Sequence, residues 1–266
     1  HTLVPLLSLF TLALGFSGCD RISTGDSTPR PLVVFAAAST TDVINELAAR
    51  FEKATGRPVR CNFAASSTLA RQLVDGAKAD VYLSANADWM YHSIVRGVID
   101  NSTRQDLLRN RLVFITPTGM PLDVKVEPEF DFASSFNGML ALGDPTHVPA
   151  GMYAREAMVA LGWWDEVKDR VQPAVDVRGA LRLVELHEAP LGIVYHTDAV
   201  ASRRTMVAAK IPDTLHQPIV YPIALTPNAN NAAAEFVAFL TSNEARELWE
   251  NAGFEVVAND VGEATP

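Results

Sequence analysis

Apolar residues recur along this chain in two alternating rhythms. Leu32-Val33-Val34-Phe35 is a continuous apolar run of the kind that suits a strand buried on both faces. Behind it Val43, Ile44, Leu47 and Phe51 fall at helical spacing, predicting a helix with one apolar face that stops at Thr55-Gly56-Arg57-Pro58. The pair then repeats: a strand from Val59 to Phe63, a helix opening at Ser66-Ser67-Thr68 with Leu69, Leu73 and Val74, a strand over residues 79–84, and a short helix from Trp89 to Val95. Strand, helix, strand, helix, strand predicts a doubly wound α/β unit with helices on both sheet faces.

A second set follows, with strands at Leu112 to Thr116, Met139 to Leu142 and Leu191 to Tyr195, and helices from about Gly151 to Leu161 and from Arg178 to His187. Residues 217–225 carry two prolines, which disfavour the centre of a sheet and predict a crossing or edge strand. Two helices, Asn231 to Leu240 and Glu244 to Asn251, close the pattern. The expectation is a two-lobed α/β fold, each lobe a sheet flanked by helices, with residues 31–110 plus 224–260 in one lobe and 111–223 in the other, facing across a cleft.

Ahead of these elements the rhythm is absent. Residues 3–16 are apolar and uncharged, too short to span a membrane as a helix but matching the core of an export signal. Phe16-Ser17-Gly18-Cys19 resembles the lipobox of bacterial lipoproteins, so residues 1–18 are expected to be a signal peptide and Cys19 the lipidated first residue of the mature chain. A soluble-protein signal with an incidental cysteine is the plainer alternative. Residues 19–30 read as a flexible tether, and either way the folded part is expected to work outside the cytoplasm of a bacterium, in the periplasm or on the outer face of the cytoplasmic membrane. Cys61 then has no partner and is expected to serve as a small buried hydrophobe in a strand.

Composition narrows the class. With 266 residues, 48% hydrophobic and 20% charged, the chain has room for one or two globular cores and no need of a disulfide framework. Lys plus Arg number 22 against 31 Asp plus Glu, and the resulting charge of -9 argues against nucleic acid as a partner.

The candidate chemistry lies at helix starts. Ser39-Thr40-Thr41, Ser66-Ser67-Thr68 and Pro149-Ala150-Gly151 each follow a strand, and Asp176-Val177-Arg178 opens a fourth helix with Asp176 as its cap. Such starts leave backbone N–H groups unpaired and direct the positive ends of helix dipoles outward, so a convergence of them makes an anion site. Each serine or threonine, taken alone, is equally an ordinary cap. Neutral donors in a closed cleft can outweigh an unfavourable overall charge. Arg71, Arg155 and Arg178, inside or beside these helices, are either surface ion-pair partners or groups that shape the field around the cleft. Tyr195 ends an apolar strand, where doubly wound folds place ligands. Trp163-Trp164 read as packing. Enzyme signatures are missing: there is no glycine-flanked serine elbow, no Walker loop, no dinucleotide fingerprint and no Cys-x-x-Cys, and His147, His187 and His196 lack the spacing of a zinc helix. No cofactor or metal is expected, and a hydrolase using Ser39 or Ser66 with a histidine stays only as a minor alternative.

Four blocks in order carry a resemblance: residues 35–39, residues 63–72, residues 143–154 from Gly143-Asp144-Pro145, and residues 189–195 ending in Gly192-Ile193-Val194-Tyr195. Over about 31–257 the chain resembles the molybdate-binding proteins of molybdate ABC transporters. The resemblance implies a periplasmic-binding-protein fold closing on molybdate or tungstate, no catalysis, delivery to a membrane-embedded ABC permease, and a monomer. It also implies an oxyanion held by Ser39, Ser66, Ala150, Val177 and Tyr195, without metal or salt bridge. A sulfate, phosphate or other oxyanion binder is the nearest alternative. Two positions depart from the family pattern: Ala65, where a serine is frequent, removes a supporting hydrogen bond, and His196, where a small residue is common, makes the rim sensitive to pH.

Overall fold

A computed structural model describes residues 30–257. The expected signal segment, Cys19 and most of the tether lie outside the described residues. Strand β1 (Leu32–Ala37) places alternate side chains in two cores. Val34 and Ala36 pack with Ile44, Leu47 and Phe51 of helix α1 (Thr41–Thr55), while Phe35 packs on the other face with Leu69 and Leu73 of α2 (Ser66–Val74). Helices therefore cover both faces of this sheet. Strand β1 pairs in parallel with β2 (Val59–Ala64) and β3 (Val81–Leu83); α3 (Ala87–Val95) and β4 (Gln105–Arg109) follow.

The chain crosses at Asn110 into the second sheet. Its elements are β5 (Leu112–Pro117), β6 (Leu140–Gly143), α4 (Pro149–Ala160), α5 (Trp164–Val167), β7 (Val171–Ala174), α6 (Val177–Glu185), β8 (Leu191–Tyr195), α7 (His196–Ala201) and β9 (Thr205–Lys210). The return brings β10 (Val220–Leu225), α8 (Ala232–Leu240), α9 (Asn243–Asn251) and β11 (Glu255–Val256) back to the first sheet. The strand orders are β11-β4-β10-β3-β1-β2 and β7-β6-β8-β5-β9, each sheet mixing parallel and antiparallel pairs. The result is a two-lobed α/β fold with each lobe a sheet flanked by helices.

The strand with two prolines departs from expectation. Strand β10 is no edge strand; it lies between β3 and β4, and it joins the first sheet from Val220 rather than from 224. Pro218 falls before the strand, and Pro222 sits where the register against β4 shifts, so its missing N–H interrupts a ladder already broken there. The carbonyl of Pro222 still accepts from Ser84 N at 3.0 Å. Cys61, expected buried, is half-buried in β2, where burial pushes its thiol up to about 11 and leaves it unreactive. The tryptophan pair packs as read: Trp163 is buried and stacks on Phe132 at 4.4 Å between ring centres, and Trp164 lies under Arg155.

One close approach seats α4 on the second sheet. A Cβ on Gly151 would stand 1.8 Å from the carbonyl oxygen of Gly143, the last residue of β6, so only glycine lets this helix start where it does. Gly151→Ala is expected to lower unfolding stability by about 1–3 kcal/mol through the forced displacement of α4. Urea denaturation of the two proteins measures it, and equal midpoints would contradict the packing.

Candidate functional site

The loops after β1, β2, β6 and β7 meet between the lobes, and the helix starts they lead into surround one small cavity. From the first lobe come Ala38 and Ser39, then Ala65 and Ser66; from the second come Pro149 and Ala150, then Asp176 and Val177, with Tyr195 closing the wall. All five residues implied by the resemblance, Ser39, Ser66, Ala150, Val177 and Tyr195, line this one space. Its volume is about 10 Å³, about the room one water needs and far below a metabolite pocket.

None of the first three starts is capped by a side chain. Ala37 precedes the short 3-10 turn Ala38–Thr40, Ala65 precedes α2 and Val148 precedes α4, and none of these makes a side-chain cap hydrogen bond. The serines and threonines are therefore not the ordinary caps that sequence alone allowed. Thr40 and Thr41 instead donate to the carbonyls of Ala37 and Ala38 at 2.7 and 2.6 Å. Buried helix starts without caps leave strong donors that a ligand can satisfy. Ala65 caps α2 without a side-chain hydrogen bond, so no cap side chain occupies the first N–H groups of that helix. Of the four starts at the cavity, α6 alone is capped, by Asp176, whose Oδ1 accepts from Gly179 N at 2.8 Å and whose carboxylate is thereby turned onto its own helix.

The two cavity serines are each fixed by hydrogen bonds on the side away from the cavity. Ser66 Oγ accepts from Ala85 N at 2.8 Å, and the Ser66 carbonyl accepts from the Tyr82 hydroxyl at 2.8 Å. With one lone pair used inside the lobe, the hydroxyl proton of Ser66 is free to point into the cavity. Ser39 is set by a longer chain. Asn110 accepts from Arg111 N at 2.9 Å, which orients its amide, and Asn110 Nδ2 then donates to Thr197 Oγ1 at 2.9 Å and to the Tyr221 hydroxyl at 3.1 Å. The Tyr221 and Ser39 hydroxyls are hydrogen-bonded at 2.9 Å, which fixes Ser39 Oγ from the side away from the cavity and leaves it further hydrogen-bonding capacity there.

Tyr195 completes the set from the opposite lobe. It is 1% exposed and its hydroxyl has no hydrogen-bond partner, an expense that a buried hydroxyl does not normally carry. Burial drives its ionisation well above the ordinary tyrosine range, so the hydroxyl stays protonated. Its backbone N–H donates to Asp198 Oδ2 at 3.3 Å, and burial raises the Asp198 carboxyl to about 6 against the opposing pull of Arg178. Because this folded value exceeds that of an unfolded aspartate, the Asp198 charge weighs on stability at neutral pH and that burden is relieved as pH falls through about 6.

Ties between the lobes flank the cavity. Ser67 Oγ and His147 Nδ1 are 2.9 Å apart, Trp89 Nε1 donates to the His147 carbonyl at 2.9 Å, and Asn86 Nδ2 donates to the Tyr153 hydroxyl at 2.9 Å. Arg178 reaches Asp42 on the other flank. The hydroxyls of Ser39 and Ser66, the nucleophiles a hydrolase would use, are bonded to Tyr221 and to Ala85 N rather than to histidine. Ser67, which does meet a histidine, is fully buried. Among the described residues no group of three or more His, Cys, Asp and Glu side chains is placed to hold a metal ion. His196 does not line the cavity, contrary to the rim position expected of it. It starts α7 in a separate groove with Arg109, Arg111 and Glu250, where burial, then Lys210 and Arg111, depress its protonation. Tyr221, Asn110 and Tyr82 escaped sequence reading because their roles depend on contacts between residues far apart in the chain.

Comparison with known proteins follows this geometry. Residues 32–255 match the family model described as bacterial extracellular solute-binding protein. The molybdate-binding protein ModA of Escherichia coli is 45% identical over 228 residues, covering 85% of this chain and 89% of that protein. The molybdate-binding protein ModA of Haemophilus influenzae is 39% identical over 226 residues, covering 84% and 89%. In fold the chain is similar to the periplasmic molybdate-binding protein of Azotobacter vinelandii (TM-score 0.73, 22% identity, covering 85% of this chain and all of that one). It is equally similar to the sulfate-binding protein SubI of Mycobacterium tuberculosis (TM-score 0.74, 15% identity, covering 86% and 88%).

Four of the five tyrosines, Tyr82, Tyr153, Tyr195 and Tyr221, are buried and have their ionisation raised by that burial. An alkaline absorbance titration of the folded protein is therefore expected to show at most one tyrosine ionising before the protein unfolds. Two or more would place a hydroxyl of this group in water.

Proposed function

The chain belongs to the bacterial extracellular solute-binding proteins, and we propose that within this family it captures molybdate, and tungstate equally, and hands it to a membrane-embedded ABC permease. The observation that carries the reading is the single small cavity in which Ser39, Ser66, Tyr195 and the helix starts at Ala150 and Val177 face one another, with the Tyr195 hydroxyl unpartnered. A tetrahedral dianion offers acceptors on every side, so a ring of donors from both lobes satisfies it and is satisfied by it.

Selection follows from the same features. A cavity walled by rigid helix starts fixes a size, and an ion with shorter bonds, such as sulfate, leaves donors under-contacted. A wall made of donors penalises the proton on hydrogen phosphate, which finds no acceptor. Molybdate and tungstate are matched in size and charge, and nothing in these residues separates them. The charge of -9 is no obstacle, because the donors are neutral and act where water is excluded. The ion is the cargo, the protein needs no cofactor, and it works as a monomer. We place its anchor at Cys19, lipidated after removal of residues 1–18, which would keep the domain beside its permease outside the cytoplasm.

Isothermal titration of the folded domain with molybdate, tungstate, sulfate and phosphate tests the reading. Tight one-to-one binding of the first two alone is expected; binding of sulfate or phosphate instead would keep the fold and replace the cargo. Ser39→Ala and Ser66→Ala are each expected to weaken molybdate binding by about 1–3 kcal/mol without unfolding the protein. Unchanged affinity in both would remove the assigned donors.

A further inference from the structure

Arg178 stands in the first turn of α6, next to Val177, and its guanidinium is shared between the lobes. On its own side Nε lies 2.6 Å from Oδ1 of Asp198, a fully buried carboxylate. Across the cleft Nη2 donates to Asp42 Oδ2 at 2.8 Å and lies 3.4 Å from the carbonyl oxygen of Ser39. The two halves of this arrangement differ in what they require. The Asp198 contact stays within the second lobe, whereas the contacts with Asp42 and Ser39 exist only while the lobes are together.

The Nε contact with Asp198 is an ion pair without hydrogen-bond geometry, whereas Nη2 hydrogen-bonds to Asp42 and to the Ser39 carbonyl, so the guanidinium faces the turn that carries Ser39. Arg178 does not line the cavity, and with two carboxylates against one cation its surroundings are not those of a counter-ion for a bound anion. The Asp42 side chain is 63% exposed, beside an open groove of about 370 Å³ that both residues line. Water can therefore replace the pair at little cost, as reversible closure requires.

We propose that Arg178 is a positioning residue that holds the closed lobes together over the bound oxyanion, clamping the Ser39–Asp42 turn to the start of α6 and slowing release without contacting the ion. This rests on the oxyanion reading above. Buried Asp198 serves as the fixed anchor and exposed Asp42 as the separable catch.

The test is the release of radiolabelled molybdate from the folded domain, chased with excess unlabelled molybdate at low and high salt, for the wild-type protein, Asp42→Asn, Arg178→Lys and the double variant. Asp42→Asn is expected to speed release about two- to five-fold at low salt, the range of a partly exposed ion pair, with the association rate and the unliganded melting temperature unchanged. High salt should bring the wild-type rate toward that of the variant. The double variant should release no faster than the faster single one, because both changes break one contact. A release rate unchanged in Asp42→Asn, or a change shared equally by association and release, would overturn the clamp. Failure of the parent reading is separate. If none of molybdate, tungstate, sulfate and phosphate binds the wild-type protein, the oxyanion reading falls, and the clamp is judged by small-angle scattering of the unliganded proteins. There a more open Asp42→Asn supports it and identical profiles overturn it.

Discussion

Backbone N–H groups at buried helix starts are the constraint on which this molecule turns. Each is a strong donor that must find an acceptor, and a side-chain cap is the usual provider. Here the caps of the first 3-10 turn, of α2 and of α4 are Ala37, Ala65 and Val148, none of which can accept through its side chain. The lobes bring these starts to one small space. On the proposed reading an anion there would complete the hydrogen bonding of both lobes at once, which would make binding and closure two descriptions of one event.

The rest of the architecture serves the direction of protons. Serine hydroxyls can donate or accept, and in water they do both. The first lobe limits that freedom: Ala85 N occupies a lone pair of Ser66, and the run from Asn110 through Tyr221 engages Ser39. Asn110 is also the residue at which the chain crosses between sheets, and it holds Thr197 of the second lobe by the same amide. The crossing and the donor at the cavity are thus parts of one network, and the geometry of the hinge reaches the site through two hydrogen bonds.

Charge is arranged on the same principle. An acidic protein holding an anion cannot rely on its overall field, and Arg178, next to Val177 of the cavity wall, is occupied by Asp42 and Asp198. The cavity is left to neutral dipoles, which do not carry a solvation shell of their own into the cleft and do not favour every anion alike. The raised carboxyl of Asp198 shows that its burial is only partly offset by Arg178, a burden found where a fixed geometry is needed.

Much of this was legible in the chain. The apolar run at Leu32 to Phe35 and the spacing of Val43, Ile44, Leu47 and Phe51 specify a buried strand and its covering helix by local chemistry, as they do at Ser66 to Val74 and Leu191 to Tyr195. The helix starts and the strand end at Tyr195 could be read from order, and the resemblance implied which five residues make the candidate site. Short strands such as β4, β7, β9 and β11 could not, because they are half-exposed or only a few residues long and depend on neighbours for their pairing. Of the two readings of β10, a crossing or an edge strand, the edge failed because proline penalises a ladder only where a ladder bond would otherwise form. Local propensity determined which segments are strands and helices and where donors stand exposed at their ends. Which way each hydroxyl points, that Tyr195 is left unpartnered, and that Arg178 spans the cleft were decided by contacts between residues a hundred or more positions apart, as with Ser39 and Tyr221, and no local rhythm encodes such distances.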